Sequence, residues 1–185
     1  MKRIAIALLF SAGLCAGIAN ARDSDPSASL YQLDAHLTDQ AGRAQGLDLY
    51  RGAPVLIALF YGSCQATCPL LIDTLRSTER GLTPEQRARV RVLMISFDPE
   101  RDTPQALGEI AATRRIDTRR WTLATTDAAT VREIAALLDV QYRKLPSGEF
   151  SHSAVITLLS PRGEIEARST KLGRADPALL EHLHH

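Results

Sequence analysis

The sequence is short of the features that would assign a partner at sight. Its 22 lysines and arginines face 21 aspartates and glutamates, a formal net charge of +1. That total supplies no electrostatic reason to expect nucleic acid or an anionic surface. No internal repeat and no low-complexity tract is present, so solenoids and compositionally biased linkers are excluded. A long hydrophobic span is missing as well. The apolar stretch 4–19 follows Lys2 and Arg3 and is shorter than the ~20 residues a spanning helix needs. It ends in Ala19-Asn20-Ala21, small residues of the kind a signal peptidase cuts after. We therefore read residues 1–21 as a cleavable secretory signal and 22–29 as a flexible mature N-terminus. The expected location is the periplasm, with a retained membrane anchor as the second reading. Lipid attachment at Cys15 is disfavoured by the bulky Leu14 before it.

Cysteine is scarce, at three in 185. Export with loss of Cys15 leaves Cys64 and Cys68, four apart, in an oxidising compartment. A stabilising disulfide gains most by closing a long loop, and this pair closes a very short one. The spacing therefore argues for reactive or ligating thiols. Residues 55–69 read VLIALFYGSCQATCP, an apolar run of strand length that stops at Gly62 and leads into the cysteines. Pro69 suits the first turn of a helix. Cys68 is thus expected at a helix start, with both thiols near the positive end of the helix dipole, where thiolate is favoured.

The whole chain is 45% hydrophobic, and the remainder is enough for one domain with a real core, taken as 30–185. Residues 30–49 look like a hairpin turning around 39–42 that lays an edge on the domain. Strands are expected at 55–61, 90–97, 119–122 and 154–159. Helices are expected at 69–80, from Thr103-Pro104 to 114, from Asp127 to 138, and from Asp176-Pro177 onward. A turn is expected at Thr83-Pro84, and Pro161-Arg162-Gly163 should return the chain as an antiparallel strand over 164–168. Strands alternating with helices and closing on a hairpin describe an α/β domain of thioredoxin type.

Two thiols so placed can exchange electrons as dithiol and disulfide, or hold a soft metal. Four helical residues advance the chain about 6 Å, near the upper end of disulfide Cα separations. His152, directly before the strand at 154–159, is a candidate third ligand. Two thiolates and an imidazole suit Cu(I), whereas structural zinc wants four protein ligands and no further cysteine is available once Cys15 is lost. The plainer reading of His152 is a hydrogen-bonded residue at a strand edge. Asp98 should sit at the end of the second buried strand, on the rim with the thiols, where it could contact the site or a partner. Its plainer role is to shape the loop. Residues 100–102 read as a solvated charge run, Trp121 and Tyr142 as packing, and the histidines at 182, 184 and 185 as a solvated end.

Three stretches then carry a resemblance: FYGSCQATCP at 60–69, ISFDPERDTP at 95–104 and SHSAVITLLSPRGEI at 151–165. In order and spacing they resemble the SCO/SenC family, thioredoxin-like copper proteins associated with assembly of the CuA centre of cytochrome c oxidase. The resemblance implies a thioredoxin-like fold with an N-terminal β-hairpin extension. It also implies copper ligands at Cys64, Cys68 and His152, with Cys64 and Cys68 doubling as a redox-active disulfide. Many members carry proline directly after the first cysteine and aspartate before the histidine. Here those positions are Gln65 and Ser151, which makes Ser151 a candidate neighbour of the site.

Two functions follow. One is an exported metallochaperone that takes Cu(I), with Cu(II) as a further state, to an apo copper protein such as a cytochrome c oxidase subunit. The other is a thiol:disulfide oxidoreductase that uses the same cysteines without His152. Either would draw on a reducing thioredoxin-like protein. The expected chain is a monomer or weak dimer with no nucleic-acid partner.

Overall fold

The structure, a computed structural model, describes residues 29–184. The signal expected at 1–21 and, apart from Ser29, the mature N-terminus expected at 22–29 lie outside the described residues. A seven-stranded sheet runs in the order β2 (Ala44–Gln45), β1 (Leu37–Asp39), β5 (Trp121–Thr125), β4 (Arg91–Ser96), β3 (Val55–Phe60), β8 (Ile156–Leu159), β9 (Ile165–Ser169). At its centre, β3, β4 and β5 are parallel. Every residue of β3 is buried, so both faces of the sheet are covered there, as a parallel sheet requires. β8 joins β3 antiparallel, and β9 closes the meander through the turn expected at Pro161-Arg162-Gly163.

The helices follow their caps. α1 (Thr67–Arg80) buries Cys68, Leu71, Ile72 and Leu75, the spacing of one helical face. α3 (Pro104–Thr113) and α4 (Ala128–Leu137) start at Thr103 and Asp127, whose side chains accept from backbone N–H groups of the first turn. α5 (Pro177–Leu183) starts at Asp176 in the same way and buries Leu179 and Leu183, while His182 and His184 stay exposed. Among the described residues no helix is long and apolar enough to cross a membrane.

The expected hairpin at 30–49 is present but short. β1 (Leu37–Asp39) and β2 (Ala44–Gln45) pair with each other, and β1 also lies against β5. Leu30–Gln32 and Leu47–Tyr50 are 3₁₀ turns instead of strand. Leu47 and Tyr50 are both buried at a spacing of three, the period of a 3₁₀ turn. Buried Asp39 accepts from the N–H groups of Ala41 and Arg43, which closes the hairpin loop.

Two further elements were not foreseen. The turn at Thr83-Pro84 opens α2 (Pro84–Arg89), where Thr83 and Gln86 cap each other reciprocally. Residues 142–152 form a separate two-stranded hairpin of β6 (Tyr142–Lys144) and β7 (Phe150–His152). Trp121 is core, as expected, and its indole N–H donates to Glu79.

Candidate metal centre

β3 carries the chain to the carboxyl rim of the sheet and ends at Phe60. Tyr61 stays buried beyond it. The Gly62 N–H then donates to the Asp102 carboxylate across 2.8 Å, and the chain turns through Cys64 into α1. A side chain at Gly62 has no room, because a Cβ would stand 2.5 Å from Asp102 Oδ1 and 2.8 Å from Ile110 Cδ1. The cysteine turn therefore rests directly on Asp102. Cys64 and Cys68 are both buried and both free thiols. Cys68 is the second residue of α1, and its N–H points at Cys64 Sγ, 3.3 Å away.

The third side chain arrives from the other end of the sequence. Across the β6–β7 hairpin Tyr142 faces His152 and Lys144 faces Phe150. The hairpin is tied down to the loop after β4: Arg101 donates to the Gly148 carbonyl at 2.7 Å, and Lys144 pairs with Glu100 at 2.6 Å. Tyr61, Phe97, Tyr142 and Phe150 make an aromatic wall beneath it. The His152 ring stands edge-on to Tyr61 at 5.8 Å and tilted over Phe97 at 5.1 Å. Its Nδ1 lies 3.1 Å from the Ser153 carbonyl. A carbonyl only accepts, so Nδ1 carries the proton in that bond and Nε2 keeps its lone pair for a metal.

One ligand atom each from Cys64, Cys68 and His152 falls within 4.8 Å of the other two. Metal bonds of roughly 2.0–2.3 Å to nitrogen and sulfur place ligand atoms about 3.5–4 Å apart, so small side-chain shifts would close the set. Two thiols and an imidazole without a carboxylate are a soft donor set, matched to Cu(I). The cysteines are not equivalent. Burial opposes ionisation of Cys64, but N–H groups of Cys68, Ala66 and Thr67 outweigh it and hold this thiol below its ordinary value. Burial pushes Cys68 up, and the neighbouring Cys64 and Asp102 push it further. The Tyr61 hydroxyl donates to Glu149 across 2.7 Å and is itself pushed up by burial.

Asp98 lies at the end of β4 on this rim, as expected, but its carboxylate is buried in an ion pair with Arg101 and is not offered to a partner. Ser151 is exposed on β7 beside His152. Asp102 departs from the expected solvated run. It is 4% exposed and accepts from Gly62 N–H and the Ser96 hydroxyl. Burial raises its pKa, partly offset by those two donors. Glu149 and the hairpin itself were also missed. Asp102 could have been suspected from its place between a strand end and the Thr103-Pro104 helix start, which confines it to the rim. Nothing in composition separates it from Glu100.

The SCO1/SenC family model matches residues 24–184. A curated relative, the SCO1 protein homolog of Bacillus subtilis (strain 168), is 25% identical over 130 residues, 69% of this chain and 67% of that protein. Among solved structures, Bradyrhizobium japonicum ScoI with copper bound has a TM-score of 0.68 at 24% identity, covering 81% of this chain and 95% of that one. BsSco, described through a disulfide switch as a member of the Sco family of cytochrome c oxidase assembly proteins, has a TM-score of 0.66 at 22% identity. The match covers 80% of this chain and 88% of that one. Identities this low establish the shared thioredoxin-like fold and no more. The family match spans all the described residues, and the chain belongs to the SCO1/SenC family.

Proposed function

We propose that the protein is an exported copper carrier that holds Cu(I) between Cys64, Cys68 and His152 and passes it to an apo copper site, that of CuA in a cytochrome c oxidase subunit. The observation that carries this reading is the convergence of three soft donors, drawn from positions 88 residues apart, to within 4.8 Å. A redox pair alone would not need the imidazole. Copper in the B. japonicum relative and the oxidase-assembly description of BsSco support the same reading. The donors suit delivery because His152 is only half-buried, so an incoming ligand can displace it first. A disulfide between the thiols would remove both sulfur ligands, so loading requires the reduced form.

The thiol asymmetry favours a second reading on the same residues. The Cys64 thiolate could attack a client disulfide, forming a mixed disulfide and releasing one client thiolate. Cys68 would then attack Cys64 Sγ, closing the Cys64–Cys68 disulfide and freeing the second client thiol. Two electrons pass to the client, and an exported thioredoxin-like reductant restores the pair. The two readings separate on His152→Ala. Competition against a Cu(I) chelator should show a loss larger than the roughly 10–100-fold typical of outer-shell changes, with dithiol reactivity kept. Unchanged copper affinity would leave only the oxidoreductase. The signal reading has its own test: mass spectrometry of protein from an exporting host should show a start near Arg22, whereas intact Met1 found at the membrane would overturn the cleavage reading.

A further inference from the structure

The net charge of +1 conceals an uneven distribution. Because β3, β4 and β5 are parallel, the thiols stand beyond their carboxyl ends and the amino ends form the opposite pole. Six residues of strand put the two poles roughly 20 Å apart. The approaches to the amino pole are arginine: Arg51 shortly before β3, Arg91 opening β4, and Arg119 and Arg120 just before β5. Arg91 lines three adjoining concavities there. The largest, about 720 Å³, is walled by Arg43, Arg51, Arg91, Arg119 and Arg120, with Asp48 as the one carboxylate in its lining. Arg87 and Arg89 border the other two.

Part of this charge is compensated, since Arg43 pairs with Asp39, Arg119 with Asp117, and Arg120 with Glu79 and Asp117; the rest is not. Arg51 donates to the Tyr31 carbonyl and lies over the Tyr31 ring. Arg91 donates to the carbonyls of Ala88 and Val90, and Arg87 to those of Glu79 and Leu82. Backbone carbonyls fix these guanidinium groups without cancelling their charge. Among the described residues none of the three meets a carboxylate. The same face holds Leu49, 65% exposed in the wall of the largest concavity.

We propose that this arginine pole docks on the surface of an anionic phospholipid bilayer. The guanidinium groups would meet lipid phosphates, Leu49 would enter the headgroup boundary, and the metal centre would face away. The chemistry favours a bilayer over an acidic protein. Charge is spread over three shallow concavities instead of converging on one carboxylate, and an exposed leucine ringed by arginines matches an interface that is anionic outside and apolar beneath. The path of the chain agrees. Leu30 N–H donates to the Gly163 carbonyl and Gly52 N–H to the Pro161 carbonyl, each at 2.9 Å. The chain therefore enters the described residues at this pole. On the second reading, in which the stretch 4–19 is retained as an anchor, residues 20–28 span at most ~30 Å and keep its bilayer within reach of the arginines; the chain cleaved before Arg22 relies on the pole alone.

The test is sedimentation of the reduced, metal-free protein with phosphatidylcholine vesicles made with and without phosphatidylglycerol. Reading the difference between the two cancels any insertion by residues 4–19. Partition should favour the anionic vesicles and fall with salt. An arginine near such a surface changes partition about fivefold, so Arg51→Glu with Arg89→Glu, both exposed and neither ion-paired, should cut it at least roughly 25-fold. Leu49→Ser should cut it a few-fold. The exposed pair Arg143→Glu with Arg168→Glu, outside this pole, should have far less effect, and circular dichroism should show every variant folded. Equal partition onto both vesicles, or equal loss from the two double variants, overturns the proposal. Release by millimolar inorganic phosphate would reveal a small-anion site instead. Capture on immobilised polyglutamate without vesicle binding would assign the face to an acidic protein.

Discussion

The backbone N–H of Cys68 donates to the sulfur of Cys64 across 3.3 Å, so the second cysteine helps to ionise the first while its own thiol is held back by burial. Cys64 is the lowered thiol and Cys68 the raised one. Iodoacetamide at mildly alkaline pH should therefore modify Cys64 at least about tenfold faster than Cys68 in the reduced protein. Peptide mass spectrometry after a short pulse measures both rates. Equal rates in the folded chain would remove the asymmetry on which the oxidoreductase reading rests.

Arg101 links the rim to the hairpin, pairing with Asp98 on one side and donating to the Gly148 carbonyl on the other. Arg101→Ala should release the hairpin and lower Cu(I) affinity by about 10–100-fold, the range for residues that hold a ligand in place. It also strands the buried Asp98 carboxylate, at a cost of about 1–3 kcal/mol. Adding Asp98→Asn should restore most of that stability and none of the copper affinity. Recovery of both together would mean that Arg101 acts on the fold alone.

The site and its support differ in how far they could be read in advance. Cys64, Cys68 and their helix start were legible because a cysteine pair, a proline and the end of an apolar run are local signals. The central strands were legible for the same reason, since β3 is buried along its whole length. His152 was recognisable as a candidate, but what brings it to the thiols is the β6–β7 hairpin, and that escaped. Its strands are three residues each and hold no fully buried residue, too short and too polar to show a period. Asp102 escaped for another reason. Its burial comes from Gly62 N–H, 40 residues away, and from Ser96, and long-range pairing leaves no mark on local composition. The arginine pole escaped because its members are scattered from position 43 to 120, and only the parallel sheet gathers them.

Gly62 tests the support from beneath. An alanine there would put its Cβ 2.5 Å from Asp102 Oδ1 and 2.8 Å from Ile110 Cδ1, so the carboxylate must leave its N–H donor. Gly62→Ala should destabilise the protein by about 1–3 kcal/mol, the usual cost of overpacking. Disturbing the cysteine turn should also bring the Cys68 alkylation rate closer to that of Cys64. A folded variant with wild-type stability and selectivity would show that the turn does not depend on Asp102.

The last prediction concerns acid. Asp176 caps α5 and accepts from the Ser169 hydroxyl at 2.7 Å, the Lys171 ammonium at 2.9 Å and the Ala178 N–H at 3.1 Å. The Ser169 bond first, then Lys171, lower its pKa from 3.8 to about 2. A carboxyl whose folded pKa lies below its unfolded one contributes stability that is fully present above the unfolded value. That stability is lost as pH falls through the folded value, here between about pH 4 and 2. The full shift corresponds to a little over 2 kcal/mol, but Lys171 is half-exposed, and solvent screening reduces the contribution to about 1 kcal/mol. Asp176→Asn should therefore lower the urea midpoint at pH 7 and change it less than wild type between pH 5 and 3. A variant that loses stability with acid as steeply as wild type would place the acid sensitivity elsewhere, with Asp39 the first alternative because it too is buried, ion-paired and lowered.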